Sequence, residues 1–246
     1  MNRQRVRRVL IFVSAVLFPF VFFYFSPYLI IMAASERVVA GAFIVFGSLF
    51  VVSLVLGRAF CGWLCPMGGV AEATSTMRDK RIRHRWIDWI KIVYWPIWLG
   101  LIALTVVRAG GFERVDFLYQ TWHGISVANL GSALLALVIV SIVIVLTLIV
   151  GRRAFCHSLC WIAPFMMIGT KIRDIIHLPS LRLKATQERC VSCGTCTSHC
   201  PMSLAVEKEM VANNDMADRE CILCGTCVDG CPANAIEFQF GPRKAR

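Results

Sequence analysis

Two stretches near the end of the chain share one cysteine spacing. CVSCGTCTSHCP (190–201) and CILCGTCVDGCP (221–232) both read C-x2-C-x2-C-x3-C-P, at an offset of 31 residues. Three thiolates on so tight a loop form a tripod around one corner of an iron–sulfur cube, and in paired runs of this spacing the fourth ligand comes from the other run. The expected ligand sets are Cys190, Cys193, Cys196 and Cys231 for one 4Fe–4S cluster, and Cys221, Cys224, Cys227 and Cys200 for the other. Gly194 and Gly225 let the backbone curl around the sulfides, and Pro201 and Pro232 start the next turn without a backbone donor. Zinc sites usually pair two separated C-x2-C knuckles instead. A disulfide framework would need an oxidising compartment, which the charge distribution argues against.

The rest of the chain is built for a different solvent. Of 246 residues, 57% are hydrophobic and 17% charged, where a soluble domain has about 45–50% and about 25%. That excludes an ordinary soluble enzyme and a disordered chain. Apolar runs cover Val9–Ala34, Val38–Leu56, Ile87–Val107 and Leu130–Val150. A bilayer span needs about 20 residues, so the expected fold is membrane α-helical with four transmembrane helices. Pro19, Pro27 and Pro96 imply kinks or breaks in these runs. The start, MNRQRVRRV before an apolar run, resembles a signal peptide, but the run is too long and reads as an uncleaved anchor.

Lys and Arg give the orientation. The N-terminal tail and the stretches 57–86 and 151–189 hold seventeen of them, Arg83 among them, while the two remaining loops hold only Arg37, Arg108 and Arg114. This bias places both termini in the cytoplasm and the chain, multi-pass, in the inner (cytoplasmic) membrane. It also accounts for the net charge of +11 and for the basic run RDKRIRHR (78–85), which faces anionic lipid rather than nucleic acid. Residues 1–180 form the expected membrane domain. Residues 181–246 form a small cytoplasmic α+β domain of the bacterial two-cluster ferredoxin type, too short to build a self-sufficient core without metal.

A second repeat lies inside the membrane part. GRAFCGWLC (57–65) matches RRAFCHSLC (152–160) at an offset of 95, so the four helices read as a duplicated hairpin. Cys61 and Cys65 are four apart, as are Cys156 and Cys160, and on a helix that spacing puts both thiols on one face. Together they could hold a third iron–sulfur cluster, act as a redox pair, or bind a soft metal such as copper. Buried thiols can also be plain packing. In the second copy Trp161 stands where Pro66 stands in the first, and the proline is displaced to Pro164.

Of His84, His123, His157, His177 and His199, none lies inside an expected span, so a bis-histidine membrane haem is not expected and the redox chemistry stays on the cytoplasmic side. His157 and His199 flank cysteines, where a histidine more often tunes a cluster than ligates it. The loop 110–127, with Glu113, Asp116, Tyr119, Trp122 and His123, reads as an interfacial aromatic belt. The partly amphipathic stretch 161–179 is expected to lie along the cytoplasmic interface.

GRAFCGWLCP, its second copy and the paired cysteine runs together resemble the polyferredoxin-like membrane proteins of the NapH type, which are proposed quinol-dehydrogenase subunits of periplasmic nitrate reductase systems. Their relatives include membrane regulators of nitrous oxide reduction and oxidase assembly proteins that reduce copper. The resemblance implies an oxidoreductase component that passes electrons between the quinone pool and a redox protein partner, with a quinone site near Phe60, Trp63, Phe155 and Trp161. The alternatives are a copper reductase or assembly factor, or a redox-sensing regulator, using Cys61, Cys65, Cys156 and Cys160.

Overall fold

The computed structural model describes residues 2–82 and 85–243. Arg83 and His84, counted above for charge and as a haem ligand candidate, lie outside the described residues, as do Met1 and residues 244–246.

The first apolar run is not one helix. Helix α1 (Arg3–Val16) is capped by the Asn2 side chain, which accepts from the Gln4 amide at 3.1 Å. A short α2 (Phe18–Val21) and a 3-10 turn (Phe22–Phe25) follow, bent 59° from α1. Ser26 is extended, with ψ of 117°, and starts α3 (Pro27–Ser35). Pro19 and Pro27 supply the cause, since each lacks the amide that a continuing helix needs and disfavours a helical residue before it.

The second run is divided as well. Strand β1 (Val38–Ala40) pairs in parallel with β2 (Arg114–Asp116), and only then does α4 (Gly41–Leu56) begin. Helix α4 has 16 residues, short of a full span. Among the described residues two helices remain long and apolar enough to cross a membrane: Arg85–Ala109, which contains α7 (Asp88–Ala109), and α8 (Leu130–Ile149). Counting the bent first pair makes three. Four spans were expected, and the shortfall traces to prolines and to a strand pairing that hydropathy does not encode. The outer faces of these helices are apolar, with Val93, Ile97 and Leu137 all more than 60% exposed.

The duplication has a more specific form than a hairpin. After α4 come α5 (Ala59–Trp63) and α6 (Pro66–Ser75); after α8 come α9 (Ala154–Ser158) and α10 (Ile162–Ile175). Each unit is thus a long helix, a five-residue helix and a third helix. The third helix of each unit packs on the long helix of the other, α6 on α8 and α10 on α4. Helix α10 therefore does not lie along a surface as expected. It buries Ala163, Met166, Gly169 and Thr170 against α4, where Gly169 leaves room for Ser53.

The C-terminal portion holds β3 (Ser180–Ala185) antiparallel to β4 (Ile236–Gly241), with α11 (Thr195–Ser198), α12 (Val206–Asn213) and α13 (Thr226–Asp229) between them. It shares one hydrophobic cluster with the helices. Phe46, Trp98 and Met166 on the helical side run continuously into Leu183, Met202 and Ile222.

Candidate metal centre

All twelve cysteines are free thiols. The two C-terminal runs fold alike. Gly194 (φ 70°) and Gly225 (φ 75°) take the left-handed region and cap α11 and α13, which places Cys196 and Cys227 on the first turn of each short helix. One cavity is lined by Cys190, Cys193, Cys196 and Cys231, and a second by Cys200, Cys221, Cys224 and Cys227. The two differ in exposure. Cys193 is exposed and the other three around it are half-buried, whereas Cys200, Cys224 and Cys227 are buried. Hydrogen bonding with Thr195 holds Cys193 below the usual thiol range. Burial pushes Cys221 and Cys227 well up, and Cys200 up to about 11. Thiols held neutral by burial give up their protons to a metal ion that replaces them.

The other four cysteines meet where the two units cross. The expectation that each pair shares one helix face is corrected by the fold. Cys61 lies in α5, but Cys65 lies past its end and caps α6. Cys156 lies in α9 and Cys160 beyond it. The break is the same in both copies. The amides of Leu64 and Cys65 both bond to the Phe60 carbonyl at 2.9 and 3.0 Å, and those of Leu159 and Cys160 bond to the Phe155 carbonyl at 2.9 and 3.0 Å. Pro66, without an amide, opens α6 at its first position.

The four thiols are close enough to act on one another. Burial and then Cys61, Cys156 and Cys160 push the Cys65 thiol up. Burial, with Cys156 and Cys61, pushes Cys160 up to about 12. Their sulfurs are nevertheless not drawn together as around a single ion. Tetrahedral thiolate bonds of about 2.3 Å set sulfurs about 3.8 Å apart. Among the described residues, the one group of three or more potential ligand atoms all within 4.8 Å of one another is Asp88, His157 and Glu220.

That group belongs to a buried charge network that composition did not reveal. Asp88 Oδ1 lies 2.5 Å from His157 Nδ1, and Lys91 reaches Glu220 at 2.7 Å, Asp88 at 3.9 Å and the Cys156 carbonyl at 3.2 Å. The Lys91 ammonium thus already supplies a cation among these carboxylates. Glu220 also accepts from Arg58 at 2.5 Å. Across the site, Glu72 accepts from Arg153 at 2.8 Å and from Arg7 at 2.9 Å. Burial alone would raise Glu72, but the Arg7 hydrogen bond and the Arg153 and Arg7 charges outweigh it and hold the carboxylate at about 2. Asp88 and Lys91 were visible as charges opening an apolar run, and Arg58 and Arg153 as matched positions of the 95-residue repeat. Glu72 and Glu220 carried no local signal.

The C-terminal portion docks directly on this centre. Trp63 donates to the Leu223 carbonyl at 3.0 Å and Gln4 to the Cys224 carbonyl at 3.0 Å. Of the aromatic residues expected around a quinone, Trp63 is therefore committed to the docking contact. Trp161 stacks on Tyr94 and Trp98 at 4.4 and 5.5 Å, and Phe60 on Phe25 at 5.8 Å. In the 110–127 loop, Trp122 is exposed, Tyr119 is buried and Glu113 pairs with Arg37.

Fold and cysteine geometry define a helical protein with ferredoxin-like iron–sulfur domains. A model described as "4Fe-4S binding domain" matches residues 38–84 and 132–179, the two interlocked units, and one described as "4Fe-4S dicluster domain" matches 189–236. The chain is 25% identical to "Putative electron transport protein YccM" of Escherichia coli (strain K12), over 74% of this chain and 52% of that protein. It is 26% identical to "Methylamine utilization ferredoxin-type protein MauN" of Methylorubrum extorquens, over 71% of this chain and 59% of the relative. It is 28% identical to MauN of Paracoccus denitrificans, over 72% and 60%. The chain thus spans between half and two thirds of the length of these relatives. No solved structure matches it. Its 4Fe–4S ferredoxin-like domains are related to those of MauN-type proteins.

Proposed function

We propose that the chain is a membrane-anchored iron–sulfur electron-transfer protein, an oxidoreductase component that links the quinone pool to a redox protein partner. The observation that carries this reading is the shared core, in which Cys61 and Cys156 of the helical units pack in one cluster with Cys200, Cys224 and Cys227 of the C-terminal portion. The proposed division is residues 1–180 in the membrane and residues 181–246 in the cytoplasm, with both termini on the cytoplasmic side.

Three cysteine sets would hold 4Fe–4S clusters, each able to carry one electron: Cys190, Cys193, Cys196 and Cys231; Cys221, Cys224, Cys227 and Cys200; and Cys61, Cys65, Cys156 and Cys160. The "4Fe-4S binding domain" match over both halves of the last set supports a cluster there. Exposure orders the sets, with the half-exposed first run outermost, facing a soluble partner, and the second run and the helical set both more buried. A groove beside Asp88, Trp89 and Ile92, lined also by Arg85, Asp218 and Arg243, opens where α7 begins and is the proposed entry for a quinone head. One contact favours a copper reading, the buried Met166 Sδ 3.6 Å from Cys61 Sγ, a soft donor pair.

The test is metal analysis with a quinol-reduction assay on the detergent-purified protein. About twelve irons per chain, with absorbance bleaching on quinol addition, support the reading. Copper bound at the helical cysteines, with bleaching absent, would replace it by a metal reductase. Reporter fusions near Trp122 and at Arg246, the latter outside the described residues, should report opposite sides of the membrane.

A further inference from the structure

The repeat aligns more than cysteines. Arg58 and Arg153 occupy the same position in the two copies, three residues before Cys61 and Cys156. Each bonds the matching cysteine's amide through its own carbonyl, at 3.0 and 2.9 Å. Both are 1% exposed. Each is neutralised by one glutamate from outside its own short helix, Glu220 for Arg58 and Glu72 for Arg153.

Neither arginine is fully used. Arg58 Nε and Nη2 and Arg153 Nε are buried with no hydrogen-bond partner. A buried donor left unmade is costly, so these three call for an acceptor. The groups beside them supply candidates. Arg58 lies within the charge field of Cys61 and Cys160, and Arg153 within that of Cys156 and Cys224. Arg153 also donates to the Cys61 carbonyl at 2.8 Å, which fixes its plane against the site. Glu72 and Glu220 engage one terminal nitrogen of each guanidinium, and in this geometry they leave these three N–H groups unmet.

We propose that Arg58 and Arg153 set the reduction potential of the centre held by Cys61, Cys65, Cys156 and Cys160, by placing fixed positive charge and spare N–H donors beside its sulfurs. The inference rests on the reading that this set holds an iron–sulfur cluster. A cluster with four thiolates is anionic and gains a further negative charge on reduction. Positive charge and N–H···S bonds stabilise the reduced form more than the oxidised form and so raise the potential. The two arginines are positioning residues, since they act through the sulfur ligands. Their duplication gives the centre matched charge from both units, and the glutamate behind each limits the size of the effect.

The experiment is a redox titration of the full-length, iron-loaded protein in detergent, followed by electron paramagnetic resonance, with iron counted in every sample. Arg58→Gln and Arg153→Gln should shift the midpoint of the helical centre downward, and Arg58→Lys and Arg153→Lys, which keep the charge but lose donors, should fall in between. Glu72→Gln removes the counter-charge on Arg153 and should shift the midpoint upward, and this variant leaves the buried arginines in place should the glutamine variants not fold. Opposite signs from the arginine and glutamate variants separate an electrostatic role from a packing role. An unmoved midpoint in variants carrying about twelve irons, or a downward shift in Glu72→Gln, would overturn the inference while leaving the electron-transfer reading intact. An iron content of about eight in the unaltered protein would overturn the third cluster and this inference together.

Discussion

The indole Nε1 of Trp63 donates to the main-chain carbonyl of Leu223 at 3.0 Å. Trp63 lies between Cys61 and Cys65, and Leu223 lies between Cys221 and Cys224. One hydrogen bond therefore ties the helical cysteine loop to the second C-terminal loop, so the two loops are held together by a direct contact and not only through the chain between them.

That docking depends on a residue with no side chain. A Cβ on Gly62 would sit 2.4 Å from the Ile222 carbonyl oxygen, and backbone cannot yield as a side-chain tip can. Gly62→Ala should lower stability by about 1–3 kcal/mol and slow electron exchange between the two loops. Thermal unfolding followed by cluster absorbance checks the first part, and a melting curve unchanged from the parent would show that the loop moves freely.

Cys200 belongs to the first run in sequence but lines the cavity of the second. Cys200→Ala should damage the centre that includes Cys221, Cys224 and Cys227, and leave the signal of the other run intact. Electron paramagnetic resonance of the reduced variant distinguishes the two. Selective loss of the Cys190–Cys193–Cys196 signal would contradict the crossed arrangement.

Glu72 joins α6 to α1 through Arg7 and to α9 through Arg153. Its folded-state pKa lies below the ordinary value, at about 2 against 4.5. The sign follows: its contribution is fully present above pH 4.5 and is lost as the pH falls towards 2. The difference amounts to on the order of 3 kcal/mol. Acid unfolding of Glu72→Gln should show a weaker pH dependence than the parent between pH 4.5 and 2, and identical profiles would remove Glu72 from the account.

Helices α4 and α10 meet at Gly169, where an added Cβ would fall 1.8 Å from Ser53 Oγ and 3.1 Å from the Phe50 carbonyl. Gly169→Ala should separate the two interlocked units, with a drop in folded yield. Ser53→Ala in the same chain removes the nearer atom and should restore part of the loss, the coupling expected of residues in contact. Equal loss in single and double variants would place the strain elsewhere.

The sequence showed best what depends on local spacing. The C-terminal cysteine runs, the 95-residue repeat and the apolar character of α7 and α8 follow from residues a few positions apart. The break in the first apolar run was legible in Pro19 and Pro27, but its consequence was not, because a proline reports a missing donor and not where the chain turns next. The i, i+4 reading of Cys61 and Cys65 failed for a similar reason. Four-residue spacing implies a shared face only while the helix continues, and here the Leu64 and Cys65 amides converge on one carbonyl and end it. The exchange of third helices between the units, and the pairing of Arg58 with Glu220 across 162 positions, are long-range choices that no local pattern states.

The clasp at the start of the chain has a consequence for how the molecule is made. Gln4 bonds to the Cys224 carbonyl, 220 residues later, Arg3 reaches Asp229 at 2.8 Å, and the Arg3 guanidinium sits over the Phe238 ring at 4.9 Å. Arg3 and Gln4 therefore make these contacts only after residues 224–238 have been synthesised. Until then the second cysteine run lacks the cover that α1 gives it at the Cys224 carbonyl and Asp229. A cluster proposed for the second run would enter most easily before this clasp forms, and a chain that shuts before it is loaded must reopen the contact it made last.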